Sequence, residues 1–202
     1  MKRGRLSGEA WNLPNALTVL RIFLVPLLVV VLLTRTRISV LLGAAIFALA
    51  VLTDYLDGYL ARRNNQVTRL GMLLDPLADK LLTTAAFLSL VERDAAPAWM
   101  VTIIIGRELA VTALRSVANG RGIAIPASPL GKGKMALQVV CIFLLLLGTR
   151  YPVLSGPGIA CLWLVVLAAL VSAADYFQRF WRETFRPAGK AEQRGERYPK
   201  AV

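Results

Sequence analysis

Six apolar runs divide the chain, and short polar or charged stretches separate them. A membrane-spanning helix needs about 20 residues. The runs predict spans at about 15–33, 38–62, 70–91, 98–119, 131–147 and 158–180. Pro14 and Asn15 open the first, with Asn15 placed as its cap. Arg35 and Arg37 mark a turn after it. Glu92, Arg93, Asp94 and Pro97 mark a loop, and the stretch from Arg150 to Pro157 marks another. Trp11 and Trp99 sit where interfacial anchors are expected.

The chain has 202 residues, of which 56% are hydrophobic, and a net charge of +12. This excludes an ordinary soluble domain and a disordered chain. In a soluble protein the charge would suggest nucleic acid. Beside apolar runs it suggests basic residues on anionic lipid at the cytoplasmic face of a bilayer, with no nucleic-acid partner. Most of the Lys and Arg lie in the N-terminus, the second–third connection, the fourth–fifth connection and the tail. The expected architecture is therefore an all-α integral membrane protein with six transmembrane helices and both termini cytoplasmic. One domain covers 1–181, beginning with a basic stretch over 1–12, and a charged tail covers 182–202. No cleavable signal peptide is expected. There is no histidine, which removes histidine acid–base chemistry and histidine-ligated metals. Cys141 and Cys161 stand singly in apolar runs and read as small buried hydrophobes.

The densest chemistry lies between Asp54 and Asp79, which holds four of the twelve acidic residues. Asp54, Asp57, Gly58 and Ala61 share one helix face, and Gly71, Asp75 and Asp79 share another. A mostly polar connection from Arg62 to Gly71 suits a turn between antiparallel helices. Four carboxylates in one poorly hydrated place need counter-charge. Two divalent cations would supply it, and hard oxygen donors select Mg²⁺ or Mn²⁺. Small residues beside the acids leave room for a bulky group, and Arg62 is placed to hold an anion. The combination suggests phosphoryl-type transfer. Acids facing water, or pairing with Arg62, Arg63 and Arg69, are the plain alternative.

Two polar groupings surround this stretch. Asn15, Thr18 and Arg21 recur every third residue in the first span. They read equally as a binding stripe or as a cap plus an arginine that reaches the interface. Arg107, Glu108 and Arg115 lie in the fourth span, and Lys132 and Lys134 at the start of the fifth. Helix N-termini and basic forks favour a phosphate there. The alternative is a set of interfacial charges, which is the reading preferred for Arg121.

The spacing Asp54-x2-Asp57-Gly58-x2-Ala61-Arg62-x8-Gly71-x3-Asp75-x3-Asp79 resembles the signature of the CDP-alcohol phosphotransferase family at every fixed position. The segments LPNALTVLR, IIGRELAVTALRSVANG and GKGKMALQ resemble the branch that makes phosphatidylglycerophosphate. The resemblance implies the family's fold, a homodimer, and a site on the cytoplasmic side of the cell membrane. It implies a reaction of CDP-diacylglycerol with sn-glycerol 3-phosphate. Asp54, Asp57, Asp75 and Asp79 would hold two ions, Mg²⁺ or Mn²⁺, with Asp79 also the general base. Asn15, Ala16, Leu17, Thr18, Gly58, Ala61, Arg62 and Thr68 would hold the CDP-lipid. Arg107, Arg115, Lys132 and Lys134 would hold the acceptor's phosphate. Two alternatives stay open: another acceptor such as inositol phosphate, and a cation transporter using the aspartates as an ion site.

Overall fold

Each apolar run becomes one helix. A computed structural model describes residues 13–64, 69–120 and 130–184. In chain order α1 is Leu13–Leu33, α2 Arg37–Asn64, α3 Arg69–Glu92, α4 Ala98–Gly120, α5 Leu130–Gly148 and α6 Ser155–Thr184. A 3₁₀ turn, Pro152–Leu154, leads into α6. No strand occurs among the described residues. The helix bounds follow the expected runs closely, because long apolar stretches leave the backbone no better way to satisfy its N–H and C=O groups. Thr68, Arg121 and almost all of the tail lie outside the described residues. So do the side chains of Asn15, Asp57, Gly58, Ala61, Arg62, Asp75 and Lys132.

Local chemistry sets the helix ends. Thr36 caps α2, its Oγ1 accepting from the Ser39 N–H at 3.1 Å. Pro97 starts α4, its carbonyl accepting from the N–H groups of Met100 and Val101 at 3.1 and 3.3 Å. Arg35 and Asp94 turn the chain in left-handed conformations, with φ of 51° and 58°. Such a conformation is uncommon for a residue with a side chain, and aspartate tolerates it better than arginine. Two prolines lie inside helices, Pro26 in α1 and Pro76 in α3. Pro76 stands between Asp75 and Asp79 and cannot donate to the carbonyl four residues back.

The order of packing differs from a simple hairpin. The expectation was that the two aspartate helices would meet each other. Instead α1 packs extensively on both α2 and α3, which touch each other far less. α5 and α6 form a second close pair, and α4 packs on α6. One core joins the two groups, built on Leu28, Phe47, Phe87, Met100, Ile142 and Leu162. Phe47 of α2 meets Phe143 of α5 edge-on, with centroids 5.1 Å apart. Cys141 and Cys161 are free and buried, as expected.

The outer surface is apolar. Phe23, Leu27 and Val30 of α1 are exposed, as are Leu164, Leu167 and Val171 of α6. Among the described residues, three helices are long and apolar enough to cross a membrane by length and composition: Ala16–Leu33, Ile38–Leu56 and Pro152–Gln178. Gly133–Gly148 is a shorter apolar helix. α3 and α4 carry the charges that hold the site, and these dilute their hydropathy.

The α5–α6 pair comes close at Gly158. A Cβ at Gly158 would stand 3.1 Å from the Leu145 side chain and 3.3 Å from the backbone of Leu144 and Leu145. Backbone cannot give way as a side-chain tip can. Gly158→Val should therefore lower stability by about 1–3 kcal/mol, the usual scale of overpacking. Thermal unfolding in detergent, against wild type, measures it. An unchanged melt would mean that α5 and α6 have slack at this point.

Candidate active site

Arg21 is the most deeply buried charged side chain described, with 0% exposure. It lies on α1, and its guanidinium meets Asp54 Oδ1 on α2 at 2.7 Å. Asp54 keeps 32% exposure, so the carboxylate opens to solvent while the guanidinium does not. The interfacial reading of Arg21 therefore fails. An arginine can snorkel only if its stem points toward water, and this one points between helices. Thr18, one turn earlier on α1, is also buried. Ala16 is exposed and Leu17 half-buried, on the same first turns of α1.

Asp79 of α3 is half-buried and electrostatically coupled to Asp54, Arg21, Glu108 and Lys80. Two of the four expected aspartates thus lie within electrostatic reach of each other and of α1's arginine. Asp57 lies one turn beyond Asp54 on α2, and Asp75 one turn before Asp79 on α3. Their side chains are outside the described residues. Among the described residues no group of three or more metal-ligating side chains occurs. The donor chemistry still fits a hard divalent ion. Asp54 and Asp79 are oxygen donors, and a carboxylate accepts in about four directions. The Arg21 bond to one oxygen of Asp54 leaves capacity on that group.

The basic grouping is built around an acid. Glu108 Oε1 accepts from Lys134 Nζ of α5, from Arg107 of α4 at 3.3 Å and from Gln138 Nε2 at 3.5 Å. Arg107 also donates to Ser172 Oγ on α6, and Lys80 to Thr112 Oγ1 on α4. These bonds tie α3, α4, α5 and α6 together beside Asp79. Lys134 is buried and Arg107 half-buried. Desolvated charges of this kind persist only when paired and hydrogen-bonded.

Arg115 stands apart. It lies about 12 Å along α4 from Arg107, is exposed, and its guanidinium sits over the Tyr176 ring at 5.7 Å. So the structure joins Arg107 and Lys134 through Glu108 and places Arg115 two turns away. Four participants escaped the sequence reading: Lys80, Thr112, Gln138 and Ser172. A lysine directly after Asp79 inside an apolar run was a signal for the first. Gln138, one turn after Lys134, was a weaker one.

The family model for CDP-alcohol phosphatidyltransferase matches residues 11–174. A protein of Bacillus subtilis named CDP-diacylglycerol–glycerol-3-phosphate 3-phosphatidyltransferase is 42% identical over 185 residues, covering 85% of this chain and 96% of its own. Relatives of the same name in Rickettsia bellii and Wigglesworthia glossinidia brevipalpis are 34% and 33% identical. They cover 83% and 87% of this chain, and 94% and 98% of their own length.

The Arg21–Asp54 pair is testable without any substrate. Arg21→Met removes the ion-pair partner of Asp54 and a positive charge that acts on Asp79. The ion-free protein should lose about 1.5–3 kcal/mol, and Arg21→Lys should recover part of it. Equilibrium unfolding in EDTA reads both variants. A fully stable Arg21→Met protein would show that the pair does not hold α1 against α2.

Proposed function

The chain belongs to the CDP-alcohol phosphatidyltransferase family, and we propose that it transfers the phosphatidyl group of CDP-diacylglycerol to sn-glycerol 3-phosphate, forming phosphatidylglycerophosphate and releasing CMP. One observation carries the assignment to residues. The acidic residues Asp54 and Asp79 lie within electrostatic reach of each other and of Glu108, which holds the basic cluster Arg107–Lys134. A transfer between two phosphorylated substrates needs an acidic and a basic region side by side. The names of the relatives supply the substrate class.

The reading extends to six spans, with α3, α4 and α5 completing the three more apolar ones. Asp79 and Lys80 of α3, with Arg107 and Glu108 of α4, are half-buried in the bundle, where intramembrane charges belong. Both termini and the aspartate end would face the cytoplasm, because most basic residues lie at that end. The active form would be a homodimer in the cell membrane.

Asp54, Asp57, Asp75 and Asp79 would hold two Mg²⁺ or Mn²⁺ ions. When bound, these would neutralise the pyrophosphate and the departing CMP. The chain's own groups do the rest. Asn15, Ala16, Leu17 and Thr18 on α1, with Gly58, Ala61, Arg62 and Thr68, would seat the CDP-lipid; small residues at 58 and 61 let the nucleotide lie close to α2. Arg107, Lys132 and Lys134 would orient the acceptor by its phosphate, with Arg115 at the outer rim. Asp79 would take the proton of the acceptor hydroxyl. The freed oxygen then bonds to the phosphatidyl phosphorus, and the bond from that phosphorus to the bridging oxygen breaks, so CMP carries away the electron pair. Arg21 holds Asp54 and adds positive charge beside Asp79.

CMP release from CDP-diacylglycerol, run with glycerol 3-phosphate, inositol phosphate, serine and glycerol, tests the acceptor. Glycerol 3-phosphate should be used far faster than the rest. EDTA should abolish turnover and Mg²⁺ or Mn²⁺ restore it. Asp79→Asn should lose roughly 10²–10⁴-fold in kcat, the scale of a missing general base. Full turnover in metal-free buffer, or by Asp79→Asn, would remove those parts of the mechanism.

The basic cluster makes a separate prediction. Lys134→Met removes a charge-assisted partner worth about 1.5–3 kcal/mol. The KM for glycerol 3-phosphate should rise roughly tenfold to a hundredfold, and the KM for CDP-diacylglycerol should change little. Steady-state kinetics with each substrate varied in turn reads this. A rise confined to the CDP-lipid would make the cluster a lipid-headgroup site instead.

A further inference from the structure

The other end of the bundle holds a second basic site. Thr36, at the start of α2, lies about 27 Å along that helix from Asp54. Around it a cavity of about 440 Å³ is lined by Arg35, Arg93 and Arg150, with Thr36, Thr149 and Tyr151. The three arginines follow α1, α3 and α5 and are far apart in sequence. They are also three of the few basic residues at this end of the molecule.

The bonds of Arg35 and Arg93 account for only part of their capacity. Arg35 donates to the Glu92 carbonyl at the end of α3 and approaches Glu92 Oε1 at 3.4 Å. Arg93 NH1 donates to the Leu32 carbonyl at the end of α1 at 2.5 Å. The two thus cap each other's helices. Each guanidinium has five N–H donors. The Nε of Arg93 is closed to solvent and meets no acceptor among the described residues. Arg150 Nε donates to the Tyr151 hydroxyl at 3.3 Å, and its guanidinium also lies over that ring at 5.6 Å.

Like charges face one another here. Burial, and then the nearby Arg35 guanidinium, hold Arg93 below the usual arginine range. The N-terminus of α2, capped by Thr36, adds its positive end to the same space. Glu92 engages Arg35 from an exposed position and so offsets that charge only weakly. An anion with several oxygens would relieve the repulsion and take up the inward donor of Arg93. Halide would meet the charge but not the forked geometry.

We propose that this cavity binds a phosphate group, carried on a phospholipid headgroup or as the free anion. The site is separate from the aspartates and needs none of their chemistry. A headgroup bound here would fix a lipid against the ends of α1, α3 and α5, at the face opposite the reaction.

The experiment uses the full chain in phosphatidylcholine nanodiscs, with and without phosphatidylglycerol. Retained lipid is counted by native mass spectrometry, and inorganic phosphate binding is read by ³¹P NMR. Wild type is compared with Arg93→Gln and Arg150→Gln. Arg150→Gln leaves both bonds between α1 and α3 in place, so it keeps the test independent of folding, and its CMP release should match wild type. Binding should weaken roughly tenfold or more in each variant. Loss of phosphatidylglycerol retention identifies a lipid headgroup as the source. Loss of inorganic phosphate binding alone identifies the free anion. If both variants bind both probes as wild type does, the arginines are helix caps only and the proposal falls.

Discussion

Arg21 carries a full charge on a side chain shut away from solvent, and its bond to Asp54 is where the site and the fold become one problem. Taking a guanidinium out of water costs several kcal/mol unless an acid and further hydrogen bonds receive it. Asp54 is that acid, and Asp54 is also one of the four aspartates whose spacing resembles the family signature. α1 therefore cannot shift against α2 without exposing an unmatched charge. Because α1 also packs on α3, the same bond sets the distance between the two aspartate helices. The wedge explains why α2 and α3, joined by a short connection, touch so little. It also places a positive charge beside the acids, where it eases their mutual repulsion.

Glu108 plays the mirrored part on the basic side. Lys134, Arg107 and Gln138 converge on one of its oxygens. Without it, the two cations would stand close together in a half-buried place and repel. With it, they are fixed in position and still carry a net positive charge. Lys80, bound to Thr112, closes the gap between this cluster and Asp79. The result is a connected run of acidic and basic groups from α1 through α2 and α3 to α4 and α5. Each member restrains its neighbours, and a small displacement of one is felt by the rest.

The two ends of the bundle use arginine differently. At the aspartate end, arginine answers acids and leaves carboxylate oxygen free. At the far end, Arg35 and Arg93 answer helix carbonyls, and guanidinium donors are left over. Carbonyl oxygens carry only partial charge, so they satisfy hydrogen bonds without neutralising the cation. On the readings proposed above, that difference in balance would suit one end to cations and the other to an anion.

Much of this was legible in the residues themselves. The apolar runs determined the helices nearly to their ends, because a backbone in lipid must bond to itself. The spacings of three and four put Asp54 with Asp57, and Asp75 with Asp79, since helical periodicity is local. Glu108 could be read as having a basic neighbour. The identity of each partner was a different matter. Periodicity says which residues share a face, not which helix that face meets, so the Arg21 side chain could equally reach the interface or the core. The same holds for Lys134 with Glu108, and for Arg35, Arg93 and Arg150 around one cavity. These pairs are separated by tens of residues, and nothing local in the chain links them. Only the packing of α1 between α2 and α3, and of α4 against α6, brought them together, because buried charge tolerates few arrangements and tertiary contact selects among them.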